Sequence, residues 1–134
     1  MIDRFMNFVS PEPNSGCWLW SGNCSPDGYG MFQIGSVNKQ TAHKFSYQSF
    51  VGKIPDGLQL DHKCRVRCCV NPEHLEPVTM RENILRGMSL PAINARKSSC
   101  KHGHALTEEN VRRRKDGSRN CKACDKARWE RIGK

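Results

Sequence analysis

Between Asp61 and Asn83 the chain crowds together an aspartate, two histidines, three cysteines and two asparagines. No other stretch constrains the fold as strongly. Cys64, Cys69 and His74 follow one another with four residues between each, a thiol and imidazole spacing suited to structural Zn²⁺. A loop of this kind closes around a cation, and the chain on either side must accommodate the closure. Asp61, His62 and Asn83 form a different set, a charged oxygen, a base that titrates near neutrality and a neutral oxygen.

Composition shows why the chain needs such a closure. Leu, Ile, Val and Phe make up just under a fifth of the 134 residues and the net charge is +9, close to the balance at which a chain cannot bury enough apolar surface to fold. Eight cysteines and five histidines offer the remedy, because a structural zinc contributes on the order of 10 kcal/mol to a small fold. Disulfides are the rival use of the cysteines. No signal-peptide pattern opens the chain and no run reaches transmembrane length, so the expectation is an intracellular (cytoplasmic) zinc protein without a membrane partner.

The strand and helix signals frame the loop. Leu58–Asp61 reads as a short strand that ends or bends at Asp61-His62, which the two side chains need if they are to share one site. Leu75–Val78 reads as a second strand. Thr79-Met80-Arg81-Glu82 is a capping box, so a helix is expected from Met80 to near Gly87, with Asn83 in its first turn. The unit is strand, ligand-rich loop, strand, helix, and the chain doubles back to carry Asn83 towards Asp61. Upstream, residues 1–15 read as a helical or loose lead-in. Cys17–Trp20 reads as a strand with Tyr29–Ile34 returning beside it after the Pro26-Asp27-Gly28 turn. Residues 41–51 read as an amphipathic helix bearing His43, a helix-face histidine to which no catalytic role is assigned.

The chemistry of the second set suits phosphodiester hydrolysis. Such an ester resists attack because its oxygens are already negative. A histidine neutral above pH 7 can take a proton from water, and a hard cation on oxygen ligands can offset the developing charge.

The stretch resembles the HNH, or ββα-metal (His-Me finger), nucleases, and within them the phage intron-encoded HNH homing endonucleases. Its cysteines are similar to those of the His-Cys box enzymes. The resemblance rests on Asp61-His62, on Cys64…Cys69…Asn71-Pro72…His74-Leu75 and on Asn83, and spans roughly residues 16–88. The last position is Asn83 rather than histidine, which matches the homing branch better than the bacterial toxins. The resemblance implies that His62 is the general base, that Asp61 and Asn83 hold a catalytic Mg²⁺ or Mn²⁺, and that Asn71 braces the loop. It implies a cut leaving 5′-phosphate and 3′-hydroxyl. The Gly16-Cys17-Trp18-Leu19-Trp20…Gly28-Tyr29-Gly30 pattern is common in the phage branch, which makes Cys17 the chosen fourth zinc ligand. Cys24 and Cys68 remain alternatives.

Cys100-x3-His104 and Cys121-x2-Cys124 frame a second candidate zinc site. His102 competes with His104, and the Gly103-His104 pattern of phage HNH knuckles favours the latter. Residues 1–87 carry 9 Lys/Arg against 8 Asp/Glu, whereas residues 88–134 carry 13 against 5. That asymmetry fits a C-terminal segment laid along phosphates. The fold expected is α+β, a zinc-stapled ββα-metal core with a C-terminal zinc knuckle. Its domains are a lead-in (1–15), a nuclease domain (16–88), a linker (89–99) and a basic module (100–134). The partner expected is double-stranded DNA, contacted by Arg65, Arg67, Arg86, Arg96, Lys97, Arg112, Arg113, Arg114 and Arg119. Arg65, Arg67 and Arg86 also stand as candidates to steady the transition state, and residues 17–40 as a base reader. A chain of this size with no evident apolar dimer face is expected to act as a monomer that nicks one strand.

Overall fold

A computed structural model describes residues 1–133. The architecture is α+β, with short helices and strands whose sheets, among the described residues, are all two-stranded and antiparallel. The chain divides into two compact units, Met1–Asn83 and Ile84–Lys134.

In the first unit, helix α1 (Ile2–Met6) leads into strand β1 (Val9–Pro11), which pairs with β2 (Trp18–Trp20) in the register Val9↔Trp20. The first fifteen residues are therefore part of this unit and not a lead-in outside it. Phe5 is the reason. It is fully buried, with ring centroids 5.0 Å from Trp20, 5.3 Å from Phe32 and 5.0 Å from Phe45. Ala42 and Val70 complete this cluster. A chain short of aliphatic residues has built its core from aromatic rings, each contact adding about 0.5–1.5 kcal/mol beyond the area it buries. Trp18 and Trp20 are engaged here, whereas Trp129 in the second unit is exposed.

Strand β3 (Met31–Ile34) does not return beside β2 as expected. It pairs with β4 (Asn38–Thr41) across the tight turn at Gly35. β4 reads Asn-Lys-Gln-Thr, with no apolar alternation by which a sequence pattern would reveal it. β2 instead spends its other edge on the ligand-rich loop. Trp20 N–H donates to Cys68 O at 3.0 Å and Val70 N–H to Trp18 O at 2.8 Å. That ladder carries Cys17 to the loop. Gly30, just before β3, lies so close under Trp20 that a Cβ there would stand 2.6 Å from its Cδ1.

Helix α2 (Ala42–Phe50) packs Phe45 into the core, and Ser46 Oγ donates to Val70 O at 2.5 Å. Strand β5 (Gln59–His62) ends at His62 and pairs with β6 (Leu75–Val78), His62 opposite Leu75. A 3-10 turn, Pro72–His74, closes the loop between them. Helix α3 (Met80–Arg86) starts at the capping box: Glu82 N–H donates to Thr79 Oγ1 at 3.2 Å, and Thr79 N–H to Glu82 Oε2 at 3.0 Å.

The second unit holds α4 (Leu90–Arg96), the hairpin of β7 (Val111–Arg113) and β8 (Arg119–Cys121), and α5 (Lys122–Ile132). The stretch expected to be a linker thus contains a helix, with Pro91 in its first turn and Ala92 fully buried. No described helix is long and apolar enough to cross a membrane.

Candidate active site and metal centres

The first cluster gathers Cys17, Cys64, Cys69 and His74, whose ligand atoms all lie within 4.8 Å of one another. His74 Nδ1 stands 3.5 Å from Cys17 Sγ and 3.6 Å from Cys69 Sγ. Zinc with bonds of about 2.3 Å to sulfur and 2.0 Å to nitrogen would make tetrahedron edges of about 3.6 Å between N and S. The donor set and its spacing therefore fit Zn²⁺. Burial, reinforced by the neighbouring Cys64, pushes the Cys69 thiol up to about 12, so a thiolate at this depth needs a cation beside it. Cys24 is exposed and Cys68 leans on the aromatic core, and neither belongs to the cluster.

Asn71 ties this loop to the N-terminal strands. Its Nδ2 donates to Gly16 O at 2.7 Å and its Oδ1 accepts from Glu73 N–H at 3.0 Å. The residue before Cys17 is thus fixed to the residues before His74.

A second cluster brings together Cys100, His104, Cys121 and Cys124. His104 Nδ1 lies 3.4 Å from Cys100 Sγ, 3.7 Å from Cys121 Sγ and 3.3 Å from Cys124 Sγ, and the sulfurs of Cys100 and Cys124 are 3.6 Å apart. These edges again suit tetrahedral zinc. Desolvation, then the thiols of Cys100 and Cys121, push Cys124 up to about 11. His102 stays outside the cluster, giving only its backbone N–H to Cys100 Sγ. The hairpin between the two halves spends much of its basic charge internally. Arg112 pairs with Asp125 at 3.0 Å, and Arg119 donates to the carbonyls of Asn94, Ala95 and Lys97 at the end of α4. Arg96 donates to Leu85 O and Gly87 O. Arg113 and Arg114 are exposed.

The third set lies on the β5–β6–α3 unit. Asp61 and His62 are 5% and 6% exposed at the end of β5. His62 Nε2–H donates to Cys69 O at 3.0 Å, which leaves Nδ1 as the basic nitrogen. Burial holds the His62 imidazole below its ordinary range, against the opposing pull of the Cys69 carbonyl and Asp61. The neutral form is thereby favoured. Arg65 meets Asp61 Oδ1 at 3.0 Å from a left-handed backbone, φ 61°. Arg67 donates to Asp27 O at 2.8 Å and lies over the Tyr29 ring.

Asn83 returns to β5 as the doubling back of the chain requires, and its Nδ2 donates to Gln59 Oε1 at 3.3 Å. Its Oδ1 is thereby left as an acceptor. Gln59 is two residues from Asp61, on the same face of the strand. Sequence reasoning missed Gln59, since nothing in a local pattern marks a partner 24 residues away. It also set aside His43, whose ring lies 4.8 Å from that of His62. The carboxylate of Asp61 and the amide oxygen of Asn83 are hard donors of the kind that suits Mg²⁺ with phosphate and water completing the shell.

A strand pair and helix around a loop that gathers a Cys/His cluster, with an Asp-His pair on the first strand and an Asn on the helix, define a module of the ββα-metal class. Residues 40–85 match the family model described as HNH endonuclease. The chain is similar to the uncharacterized gene 5.3 protein of Enterobacteria phage T3, 38% identical over 65 residues, which cover 45% of this chain and 64% of that protein. It is also similar to protein 2.8 of Escherichia phage T7, 31% identical over 99 residues, 73% of this chain and 63% of the relative. The chain thus spans a little under two thirds of the length of these relatives. No solved structure matches it.

Proposed function

We propose that the chain is a metal-dependent, site-specific DNA endonuclease of the HNH homing type that hydrolyses a phosphodiester of one strand. The observation that carries this reading is the His62–Cys69 hydrogen bond, which sets the tautomer of a buried, neutral imidazole next to a buried carboxylate. His62 Nδ1 takes the proton from the attacking water. Asp61 and Asn83 hold the cation by their oxygens, Gln59 keeps Asn83 turned the right way, and Asn71 keeps the loop in place. When bound, Mg²⁺ supplies a Lewis acid for the scissile phosphate and the leaving 3′-oxygen. The two Cys/His clusters take zinc and hold the fold. Double-stranded DNA is bound chiefly through the basic excess of residues 88–134. A monomer with one such Asp-His pair among its described residues suits nicking. The homing assignment rests on the likeness of Asp61-His62…Asn83 to phage intron-encoded enzymes.

The test is a supercoiled-plasmid assay at low salt, with and without Mg²⁺, on unrelated plasmid and on plasmid carrying flanking genomic DNA. Wild type is expected to give open circles only with metal, and His62→Ala to slow the reaction by about 10²–10⁴-fold. Retardation of DNA by both proteins with no cut in any substrate would overturn the enzyme reading.

A further inference from the structure

Building on the nuclease reading, we propose that the cleft lined by His43 and Asn83 is a subsite for a backbone phosphate next to the scissile bond, with the Nε2–H of His43 as its donor. The cleft is open, about 580 Å³, and is lined by His43 with Lys44, Lys53, Gln59 and Asn83. Asn83 thus belongs both to this cleft and to the set that would hold the catalytic cation. A strand lying in the cleft passes by Asn83.

His43 sits in the first turn of α2, its ring edge-on to His62 with centroids 4.8 Å apart and 5.7 Å from the ring of Tyr29. Its Nδ1 is buried and has no hydrogen-bond partner. A buried N–H without an acceptor is among the rarest defects in folded proteins. The proton therefore belongs on Nε2, and His43 is one of the residues that line the cleft. Burial, then His62 and Lys44, hold the imidazole down to about 4. His43 is consequently a donor without a charge, able to approach His62 without disturbing a base that must stay neutral. Lys44 and Lys53 supply the positive charge. Lys53 meets Asp56 at 3.3 Å, but both are largely exposed, and so weak a pair is readily exchanged for a phosphate. Two cations and several donors in an open trough suit a phosphate oxygen better than a stacked base.

The experiment compares wild type with His43→Phe, which keeps a ring against His62 but has no donor, and with His43→Gln, which restores one. Affinity for a short labelled duplex of unrelated sequence is measured without Mg²⁺, and plasmid nicking with it. His43→Phe is expected to weaken binding by about 10-fold or more, the loss of one hydrogen bond to a charged acceptor. His43→Gln should regain most of it, and the salt dependence should not change because no charge is removed. Equal binding by wild type and His43→Phe overturns the subsite, and so does equal weakness of both variants, which would mark a packing role. Histidine ¹⁵N spectra of the wild type give a reading independent of the variants: the His43 proton must be on Nε2 and its signal must move when duplex is added. A proton on Nδ1, or a signal that stays still, overturns the proposal. If wild type binds in this way yet cuts nothing with any divalent metal, the nuclease reading falls and the phosphate subsite stands.

Discussion

The backbone oxygen of Cys69 accepts the His62 Nε2 proton at 3.0 Å, while the sulfur of the same residue stands 3.6 Å from His74 Nδ1. One residue thus joins the imidazole to the cluster that closes the loop. Its carbonyl is positioned by the backbone bonds that tie this loop to β2 and by its side chain, which belongs to a cluster of four residues of the first unit.

Zinc removal is therefore expected to abolish cleavage through the fold, before any effect on the catalytic cation. Metal analysis should find two zinc ions per chain, one for each cluster. A chelator strong enough to strip them should cost on the order of 10 kcal/mol per site, read as loss of the cooperative melting transition. Mg²⁺ alone should not restore cutting, and Zn²⁺ followed by Mg²⁺ should. A stripped protein that still melts cooperatively at its former temperature would refute this.

Core predictions follow from the aromatic cluster. Phe5→Ala should cost about 3–5 kcal/mol, because the ring is fully buried against Trp20, Phe32 and Phe45. Gly30→Ala should cost about 1–3 kcal/mol, because its Cβ would meet Trp20 Cδ1 at 2.6 Å. Denaturant unfolding checks both. Deletion of the N-terminal residues without loss of stability would contradict the role of Phe5.

Gln59 orients Asn83, so Gln59→Ala should act on the catalytic cation and barely on stability. Loss of a partner that orients a metal ligand typically costs about 10–100-fold in metal affinity or activity. The expected result is a matching rise in the Mg²⁺ concentration that half-saturates nicking, with the melting temperature nearly unchanged. An unaltered Mg²⁺ dependence would remove Gln59 from the site.

His43 also makes stability depend on pH. Its folded pKa of about 4 lies below the ordinary value of 6.5, so the unfolded chain binds the proton first. The contribution is fully present above about pH 6.5 and is lost as pH falls towards 4. From pH 7 to pH 5 the loss is about 2 kcal/mol. His43→Gln should lose less than wild type by about that amount over the same interval, a difference that cancels acid effects common to both proteins. Parallel curves would show that His43 is not buried neutral.

What was legible in the sequence is what local chemistry dictates. Thr79 and Glu82 are three residues apart, and their reciprocal hydrogen bonds start α3 where the pattern places it. The spacings of Cys64, Cys69 and His74 and of the Cys100–Cys124 set are likewise local. Phe5 was not legible, because a five-residue helix has too little periodicity to show a buried face. The β3–β4 hairpin was missed because β4 is polar throughout. Gln59 and His43 acquire meaning only from tertiary neighbours, Asn83 for one and His62 for the other.

The basic residues of the C-terminal unit divide by the same logic, and salt dependence can separate them. Arg119 is half-buried and donates to three carbonyls at the end of α4, whereas Arg113, its partner across the hairpin, is exposed. Arg113→Ala should leave the melting temperature unchanged and weaken binding to all duplexes alike. If Arg113 meets a phosphate, the slope of log affinity against log salt should fall in magnitude by about 0.9. Arg119→Ala should do the reverse. The carbonyls of Asn94, Ala95 and Lys97 lose their donor, so amide exchange in α4 should accelerate while the salt slope holds. If instead the Arg119 variant changes the slope and leaves α4 protected, its guanidinium belongs to the DNA contact and not to the helix end.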